Sequence, residues 1–297
     1  MTLQEIINYS QYQLGNYEKP YYWVDSELVM YANRVHNQMC TDARLLVDDS
    51  TPSVCDISTV ANTFSYAYSS LILSITSARL VTEELMTIDT KPSTAWAAGD
   101  TISGTSSGKS CIVVSKLTDY TYTVSNRTGN FTLGEVLTNG TYTADQSSLC
   151  PRFTDHEFAT LEKTTNLEIN EHYPNWRTDT AAEPTLYLLD NKTGYITLYP
   201  VPDDIYIVRL TAVRLPLVAL STTDMNLQTP EISSRYHDDL INGICAYAYL
   251  KHGEKTFNER SAATFMALFK KAISEAKSTK ILTEHTPSTI APARGFI

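Results

Sequence analysis

The sequence predicts an α+β protein in which helices from both chain ends form one helical bundle and the middle of the chain forms β structure. Three observations predict this class: amphipathic periodicity near the N-terminus, the same periodicity over residues 229–280, and β-rich alternation between them. A Thr-, Ser- and Gly-rich stretch, residues 95–148, interrupts the β region, and an aperiodic segment, residues 281–297, ends the chain. We therefore expect a helical bundle, a central β domain, a small inserted β-barrel or sandwich, and an extended C-terminal arm.

The clearest helical pattern predicts a C-terminal helical hairpin over residues 229–280. Its second helix repeats apolar residues, including Phe265 and Phe269, at three- and four-residue steps, which places them on one face. Thr256 and Glu259 have the spacing of a capping box, in which each side chain satisfies a backbone N–H of the first turn. This pair predicts the start of the second helix.

The first helix of the hairpin is predicted to begin at Thr229–Pro230, because proline has no N–H to lose in a first turn. Both helices need a partner surface, and the other strong helical patterns lie at the opposite end of the chain. The residues predicted to hold helices or subunits together are Tyr236, Leu240, Ile244, Phe265 and Phe269.

The N-terminal region, residues 1–55, is predicted to supply the other helices of the bundle. Thr2 and Glu5 form a second capping box that begins one helix. Asp25 is predicted to cap another helix, which ends near Asp48. Since each fully buried large apolar side chain contributes roughly 1.5–3 kcal/mol, packing of these helices on the hairpin would hold the chain ends together.

The central β domain is predicted from residues 56–94 and 149–228. β-branched and aromatic residues favour two strands joined at Ser69–Ser70, although periodicity alone also allows a helix over residues 71–80. Three later strands are predicted at residues 185–189, 194–199 and 205–213, the first two joined as a hairpin.

The insertion, residues 95–148, contains two similar turn–strand–turn units, at residues 99–104 and 134–140. Its short alternating segments are typical of a small β module. Trp96 and Phe131 are predicted to be its core residues.

Composition restricts the classes of function. The formal net charge of −10 argues against general nucleic-acid binding, and no apolar run approaches the roughly 18 residues of a membrane span. Five widely spaced cysteines without a CxxC pair are predicted to be reduced, in a cytosolic product. The chain has 19 tyrosines and 8 phenylalanines, which favours either subunit interfaces or ordinary β packing.

Motifs with chemical functions give no enzyme prediction. Residues 104–108 match the GxSxG pattern but lie in a Ser- and Gly-rich loop without the following helix that a nucleophile elbow requires. Asp155 and Glu157 would share one face of a strand and His156 the other, so the three would not bind one metal. His237 and His252 have no identifiable third ligand. We therefore predict no catalytic residue, no cofactor and no metal.

Three segments together resemble the head-to-tail adaptor (connector, gatekeeper) proteins of tailed bacteriophages. The resemblance covers residues 1–94 and 150–280, and the insertion departs from a minimal adaptor. The first motif is Trp23-x-Asp25-x-Glu27-Leu28-x-x-Tyr31-x-Asn33. The second is the strand Gly194–Pro202, followed by Arg214-Leu-Pro216. The third is Pro230-Glu-Ile-x-x-x-Tyr236-His237-x-x-Leu240-Ile-x-Gly243-x-x-Ala246-Tyr-Ala-Tyr-Leu250-Lys251.

The resemblance implies a homo-oligomeric, dodecameric ring in the virion neck, docked under the portal protein and contacting a tail nozzle or tail-tube protein. It also implies passage of double-stranded DNA without specific binding, and no membrane. The docking arm would carry Pro292, Arg294, Phe296 and Ile297, although a disordered tail is the alternative interpretation of this segment.

Two other functions remain open from the sequence. Another phage neck or tail ring subunit, such as a nozzle or tail-tube protein, would be dominated by β structure and lack a bundle made from both termini. A glycan- or receptor-binding virion protein would use the insertion, with Trp96 and the surface aromatics Tyr120 and Tyr122 as stacking platforms.

Overall fold

The computed structural model describes residues 1–16, 21–132, 134–141, 143–144, 152–253 and 255–284. The protein is a mixed α+β chain that divides into two compact units. The first, here the terminal unit, combines residues 1–47 with the chain from residue 213 onward, and the second, the β unit, comprises residues 48–212. Within the described ranges, no helix is long and apolar enough to span a membrane.

Six α-helices occur in the described residues. They are α1 (Leu3–Gln13), α2 (Asp25–Ala43), α3 (Pro52–Cys55), α4 (Asn166–His172), α5 (His237–Tyr249) and α6 (Glu259–Glu284), with a 3-10 turn at Ser234–Tyr236 before α5.

The terminal unit is built around α5, against which α1, α2 and α6 all pack. Its apolar core, the terminal cluster, contains residues from all four helices. Gly243 lies where α2, α5 and α6 meet, because a Cβ there would be 2.5 Å from Val35 Cγ1 and 3.2 Å from Phe269 Cδ2. Helices from the two ends of the chain therefore share one core in this unit.

Two of the predicted helix starts lie close to where the sequence placed them. The Thr2–Glu5 capping box is confirmed, since the Thr2 N–H donates to Glu5 Oε2 at 2.9 Å and the Glu5 N–H donates to Thr2 Oγ1 at 3.3 Å. Asp25 is the first residue of α2 and not its N-cap, which is Val24. This helix ends at Ala43, before the predicted end near Asp48, because Arg44 takes the left-handed conformation that terminates helices.

The predicted boundaries of the C-terminal helices are wrong. α5 begins at His237 and not at Pro230, because the Glu231 carboxylate is held by Arg214 Nη2 at 2.5 Å and by the Leu217 N–H at 2.9 Å. The Thr256 hydroxyl donates to the Lys251 carbonyl, and Asn258 instead accepts the Ser261 N–H at 3.0 Å at the start of α6. α6 continues to Glu284, so residues 281–284 are helical and not extended, and the rest of the predicted arm lies outside the described residues.

His36 in α2 gives the terminal unit a predicted sensitivity to acid. Burial lowers the pKa of this imidazole from 6.5 to about 4, although the Glu231 carboxylate partly opposes the shift. Between these pKa values the unfolded chain binds a proton that the folded chain excludes, so stability falls as the pH falls through this window. We expect the unfolding free energy to fall by about 2 kcal/mol between pH 7 and pH 5.

The measurement is chemical denaturation of the wild type and of His36→Gln at both pH values. Because glutamine does not titrate, the variant should lose about 2 kcal/mol less than the wild type on acidification. Equal losses in the two proteins would contradict this role of His36.

The β unit contains most of the strands. The strands of the chain are β1 (Val47–Asp48), β2 (Asp56–Ser58), β3 (Ser65–Ala67), β4 (Ile72–Thr87), β5 (Thr101–Gly104), β6 (Ser110–Lys116), β7 (Thr121–Ser125), β8 (Leu137–Thr138), β9 (Thr143–Ala144), β10 (Arg152–Lys163), β11 (Leu186–Leu188), β12 (Tyr195–Tyr199) and β13 (Ile207–Arg214). They form one hydrogen-bonded sheet in the order β3-β12-β11-β10-β4-β7-β6-β5-β8-β9, and β13 pairs with β2 and β4 beside this path.

The long strand β4 settles one open alternative. Residues 71–80 fall almost entirely within it, so the helix interpretation is wrong and the strand interpretation is confirmed. The predicted hairpin is confirmed as well, because β11 and β12 pair antiparallel with Leu186 opposite Tyr199. Gly194 in the connecting turn has φ +78°, a conformation that glycine adopts without strain.

Two apolar cores lie along the antiparallel pair of β4 and β10. The central cluster includes Ile72, Ile75, Ala78 and Leu80 of β4 together with Leu161, Tyr187, Ile196, Leu198, Val208 and Leu210. The insert cluster includes Met86, Ile88, Trp96, Ile102, Cys111, Val113, Tyr122, Val124 and Leu137, with Phe131 and Phe153 packed against it.

The described strands of the insertion join the central sheet, because β7 pairs antiparallel with the end of β4. Their core includes Met86, Ile88 and Phe153, which lie outside residues 95–148. Residues 95 and 148 therefore do not bound this core.

Candidate functional site

The GxSxG segment forms a hydrogen-bonded connection between strands and not the strand–turn–helix of a nucleophile elbow. It connects β5 to β6, so no helix follows Ser106. The Glu135 carboxylate accepts the N–H groups of Ser106 and Ser107 at 2.9 and 2.8 Å and the Ser107 hydroxyl at 2.8 Å. Burial raises the pKa of Glu135, but these hydrogen bonds outweigh burial and lower it, so the side chain is a charged acceptor. Gly104 leaves room for it, since a Cβ there would be 2.4 Å from the carboxylate.

Of the histidine-containing motifs, the side chains of Asp155, His156 and Glu157 lie outside the part of the chain that the structure describes. The register of β10 against β4 shifts between Asp155 and Glu157, so simple alternation of faces does not apply there. His237 Nδ1 lies 3.0 Å from the Met1 nitrogen, and its Nε2 lies 3.1 Å from the Ile232 carbonyl oxygen. In the part of the chain that the structure describes, no three His, Cys, Asp or Glu side chains are placed to hold a metal ion.

A buried ion-pair network joins three strands and one loop of the β unit. Arg127 Nε donates to Glu84 Oε2 at 2.6 Å, and Arg127 Nη2 lies 3.3 Å from Asp56 Oδ2. Arg209 Nε donates to Asp56 Oδ1 at 2.7 Å. All four side chains are at most 10% exposed. Two guanidinium groups thus balance two carboxylates within the protein.

This network, the Arg127 network, lies between the two cores of the β unit. Glu84 is between Leu80 of the central cluster and Met86 of the insert cluster on β4. Arg127 also donates to Asn130 Oδ1 at 2.8 Å, and its guanidinium carbon lies 4.7 Å from the centre of the Phe153 ring. These ion pairs join the insertion to β2 and β4 of the sheet.

The aromatic residues of the insertion have different positions. Trp96 is a core residue, 1% exposed, as predicted, whereas Phe131 is partly buried and packs against the edge of the same cluster. Tyr122 is fully buried in β7, with its ring centre 5.3 Å from that of Trp96, so the prediction that it is a surface aromatic is wrong. Tyr120 precedes the strand and is 48% exposed. A stacking platform made of all three aromatics does not exist.

The residues predicted to hold helices or subunits lie mostly inside the terminal unit. Leu240, Ile244 and Phe269 are fully buried, and Tyr236 is buried in the 3-10 turn, so they are unavailable to a second subunit. Phe265 is half-buried and stacks on Tyr249 with 5.9 Å between ring centres. The predicted arm residues Pro292, Arg294, Phe296 and Ile297 lie outside the described residues, as does Cys150.

An open surface of the terminal unit lies between α1 and α5. This α1–α5 groove has a volume of about 410 Å³ and is lined by Met1, Glu5, Tyr9, Gln13, Asp238, Ile241 and Asn242. A second depression on the outer side of α1 shares Glu5 and Tyr9 and adds Asn8 and Tyr12. Tyr9 is 56% exposed and Tyr12 73% exposed. Large exposed aromatic side chains beside a groove are typical of a protein-binding surface.

The sequence analysis did not identify this groove, because its two walls are more than 220 residues apart in the chain. Comparison with curated proteins gives no match. The SU10 adaptor protein family matches residues 118–293, more than half of the chain. The match begins inside the insertion and extends through α5 and α6. The chain therefore belongs to the SU10 adaptor protein family, a family of phage adaptor proteins.

Proposed function

We propose that this protein is a structural head-to-tail adaptor, without enzymatic activity, that forms a homo-oligomeric ring under the portal and connects the capsid to the tail. The observation that carries the proposal is the family match over residues 118–293, which makes the protein a phage adaptor and a virion component. The ring, the portal contact, the tail contact and the DNA channel go beyond the family match and make up the proposal.

The organisation of the terminal unit supports an adaptor over a nozzle or tail-tube subunit. A tail-tube or nozzle subunit is expected to be dominated by β structure, whereas α1, α2, α5 and α6 form a compact unit from both chain ends. A glycan-binding role loses its support, because Trp96 and Tyr122 are buried.

The charge of the chain suits the proposed channel. With a formal net charge of −10, an array of copies around DNA would have a predominantly negative field. Such a field repels phosphates, so DNA would pass without being held.

The test is binding of the purified protein to the portal ring of the same phage, followed by mass photometry and electron microscopy. We expect a coaxial ring on the portal. A variant lacking residues 285–297 should keep its fold, measured by circular dichroism, and lose docking, because we assign the portal contact to Phe296 and Ile297.

Two outcomes would contradict different parts of the proposal. If the full chain does not bind the portal, the adaptor role is wrong. If the shortened chain binds as well as the full chain, only the assignment of the arm is wrong. The full-length variant Phe296→Ala/Ile297→Ala keeps the length of the arm and removes only its two apolar side chains. It therefore shows whether docking depends on these side chains or on the length of the segment.

A further inference from the structure

α6 presents a second open surface of the terminal unit, on the side away from the terminal cluster. Its exposed residues at three- and four-residue steps form one face, the α6 stripe, consisting of Arg260, Ala263, Ala267, Lys270, Ser274 and Lys277. The stripe has three basic side chains in a chain whose net charge is −10, and the exposed acidic residue Glu259 lies one turn before Ala263 on the same side of the helix. None of the three pairs with an acidic side chain in the described residues.

The α1–α5 groove has the opposite charge. Its lining contains two acidic side chains, Glu5 and Asp238, and no lysine or arginine, and its one cationic group is the Met1 ammonium, which lies 3.0 Å from His237 Nδ1. Tyr9 in the groove and Tyr12 beside it offer aromatic faces, which attract ammonium groups and cover aliphatic side chains. The groove and the stripe are therefore complementary in charge and chemistry.

The same copy cannot bring these two surfaces together. On α5, Gly243 faces Phe269 of α6, whereas Asp238, Ile241 and Asn242 face the groove. At about 100° per residue, these two faces of α5 are on nearly opposite sides of the helix. α6 thus packs on one side of α5 while the groove opens on another, and the α6 stripe points away from the core.

We propose that the α1–α5 groove binds the α6 stripe of a second copy of this chain. The inference rests on the proposed adaptor ring and identifies the two surfaces that join its subunits. Because the contact joins two different surfaces, it repeats head to tail, and it closes into a ring when the rotation between copies permits.

A protein occupant fits better than DNA. Ala263, Ala267 and Ser274 separate the basic residues of the stripe, and small side chains let another helix approach closely. DNA would meet the small and apolar residues without gaining from them.

The test uses two charge-reversed full-length chains. The first, Lys270→Glu/Lys277→Glu, makes the stripe acidic, and the second, Gln13→Lys/Asp238→Lys, makes the groove basic. All four positions are exposed, and circular dichroism checks that both variants fold. Self-association is followed by mass photometry and sedimentation velocity at low and high salt.

We expect the wild type to assemble, and each variant alone to associate at least about ten-fold more weakly, because like charges then face each other. An equimolar mixture should regain assembly, since the acidic stripe of one variant fits the basic groove of the other and the unchanged surfaces also match. Salt should weaken wild-type assembly.

Several results would overturn the inference. They are assembly of either variant alone at wild-type strength, failure of the mixture to assemble, a wild type that stays monomeric at all concentrations, or wild-type binding of duplex DNA that the stripe variant loses. Portal docking of the wild type is measured separately, so the adaptor function can stand even when this subunit contact is wrong.

Discussion

Replacing Arg127 with methionine is expected to reduce the unfolding free energy of the β unit by about 3–5 kcal/mol, the cost of removing one partner from a buried ion pair. The guanidinium donates to Glu84 at 2.6 and 2.9 Å and lies 3.3 Å from Asp56. Without it, two buried carboxylates would share only Arg209. Methionine retains the apolar stem against Phe153, so the loss comes from charge.

The double variant Arg127→Met/Glu84→Gln is the matched control. It removes one charge of each sign and leaves the Asp56–Arg209 pair, which is joined at 2.7 and 2.9 Å. We expect the double variant to be more stable than Arg127→Met, although it carries one more substitution, because it leaves no unpaired carboxylate at residue 84. Denaturant unfolding measures the loss of stability, and amide hydrogen exchange shows where in the chain it occurs. We expect the amides of β2, β4 and β13 to exchange faster in Arg127→Met than in the wild type. A loss below about 1 kcal/mol in the single variant, or no recovery in the double variant, would contradict the role of the network.

The sequence could not predict the Arg127 network, because its members come from residues 56, 84, 127 and 209 and meet only in the folded sheet. A charged residue inside a strand pattern is ordinarily read as solvent-facing, and Glu84 follows Glu83 without any local signal of burial. The sequence could not predict the α1–α5 groove for the same reason. The pattern of each helix shows which residues are exposed, but not which of them lie next to the other helix.

Local sequence patterns predicted the structure correctly where neighbouring residues alone determine it. The Thr2–Glu5 box is formed as its spacing indicates, and Trp96 is in the core. The same motif at Thr256 and Glu259 failed, because Asn258 caps the helix and Thr256 donates to Lys251. The prediction that a helix starts at Pro230 was wrong, because the ion pair of Glu231 with Arg214 holds the segment before α5 in a non-helical conformation. Tertiary contacts thus decided between local alternatives that the sequence left equivalent.

Replacing Phe269 with alanine is expected to cost about 3–5 kcal/mol of stability in the terminal unit, the usual loss for a fully buried aromatic side chain. Phe269 is 0% exposed and its ring fits against Gly243, where a Cβ would be only 3.2 Å from Cδ2. The cavity would lie where α6 packs on α5 and α2, at the junction of the two chain ends. Exchange of α2 and α5 amides should therefore accelerate, whereas β4 and β10 of the other unit should remain protected.

Phe265→Ala is the matched control, because it removes the same atoms from the same helix one turn earlier. Phe265 is half-buried and stacks on Tyr249, so its loss leaves a surface that solvent can fill and should cost less than Phe269→Ala. Both substitutions replace phenylalanine with alanine in a helix, so their change in helix propensity is the same. The difference between their losses of unfolding free energy therefore reports the contribution of burial. Equal losses in the two variants, or unchanged exchange in α2 after Phe269→Ala, would show that α6 does not couple the two ends of the chain. A large difference would make Phe269 the residue through which the C-terminal helix stabilises the N-terminal helices.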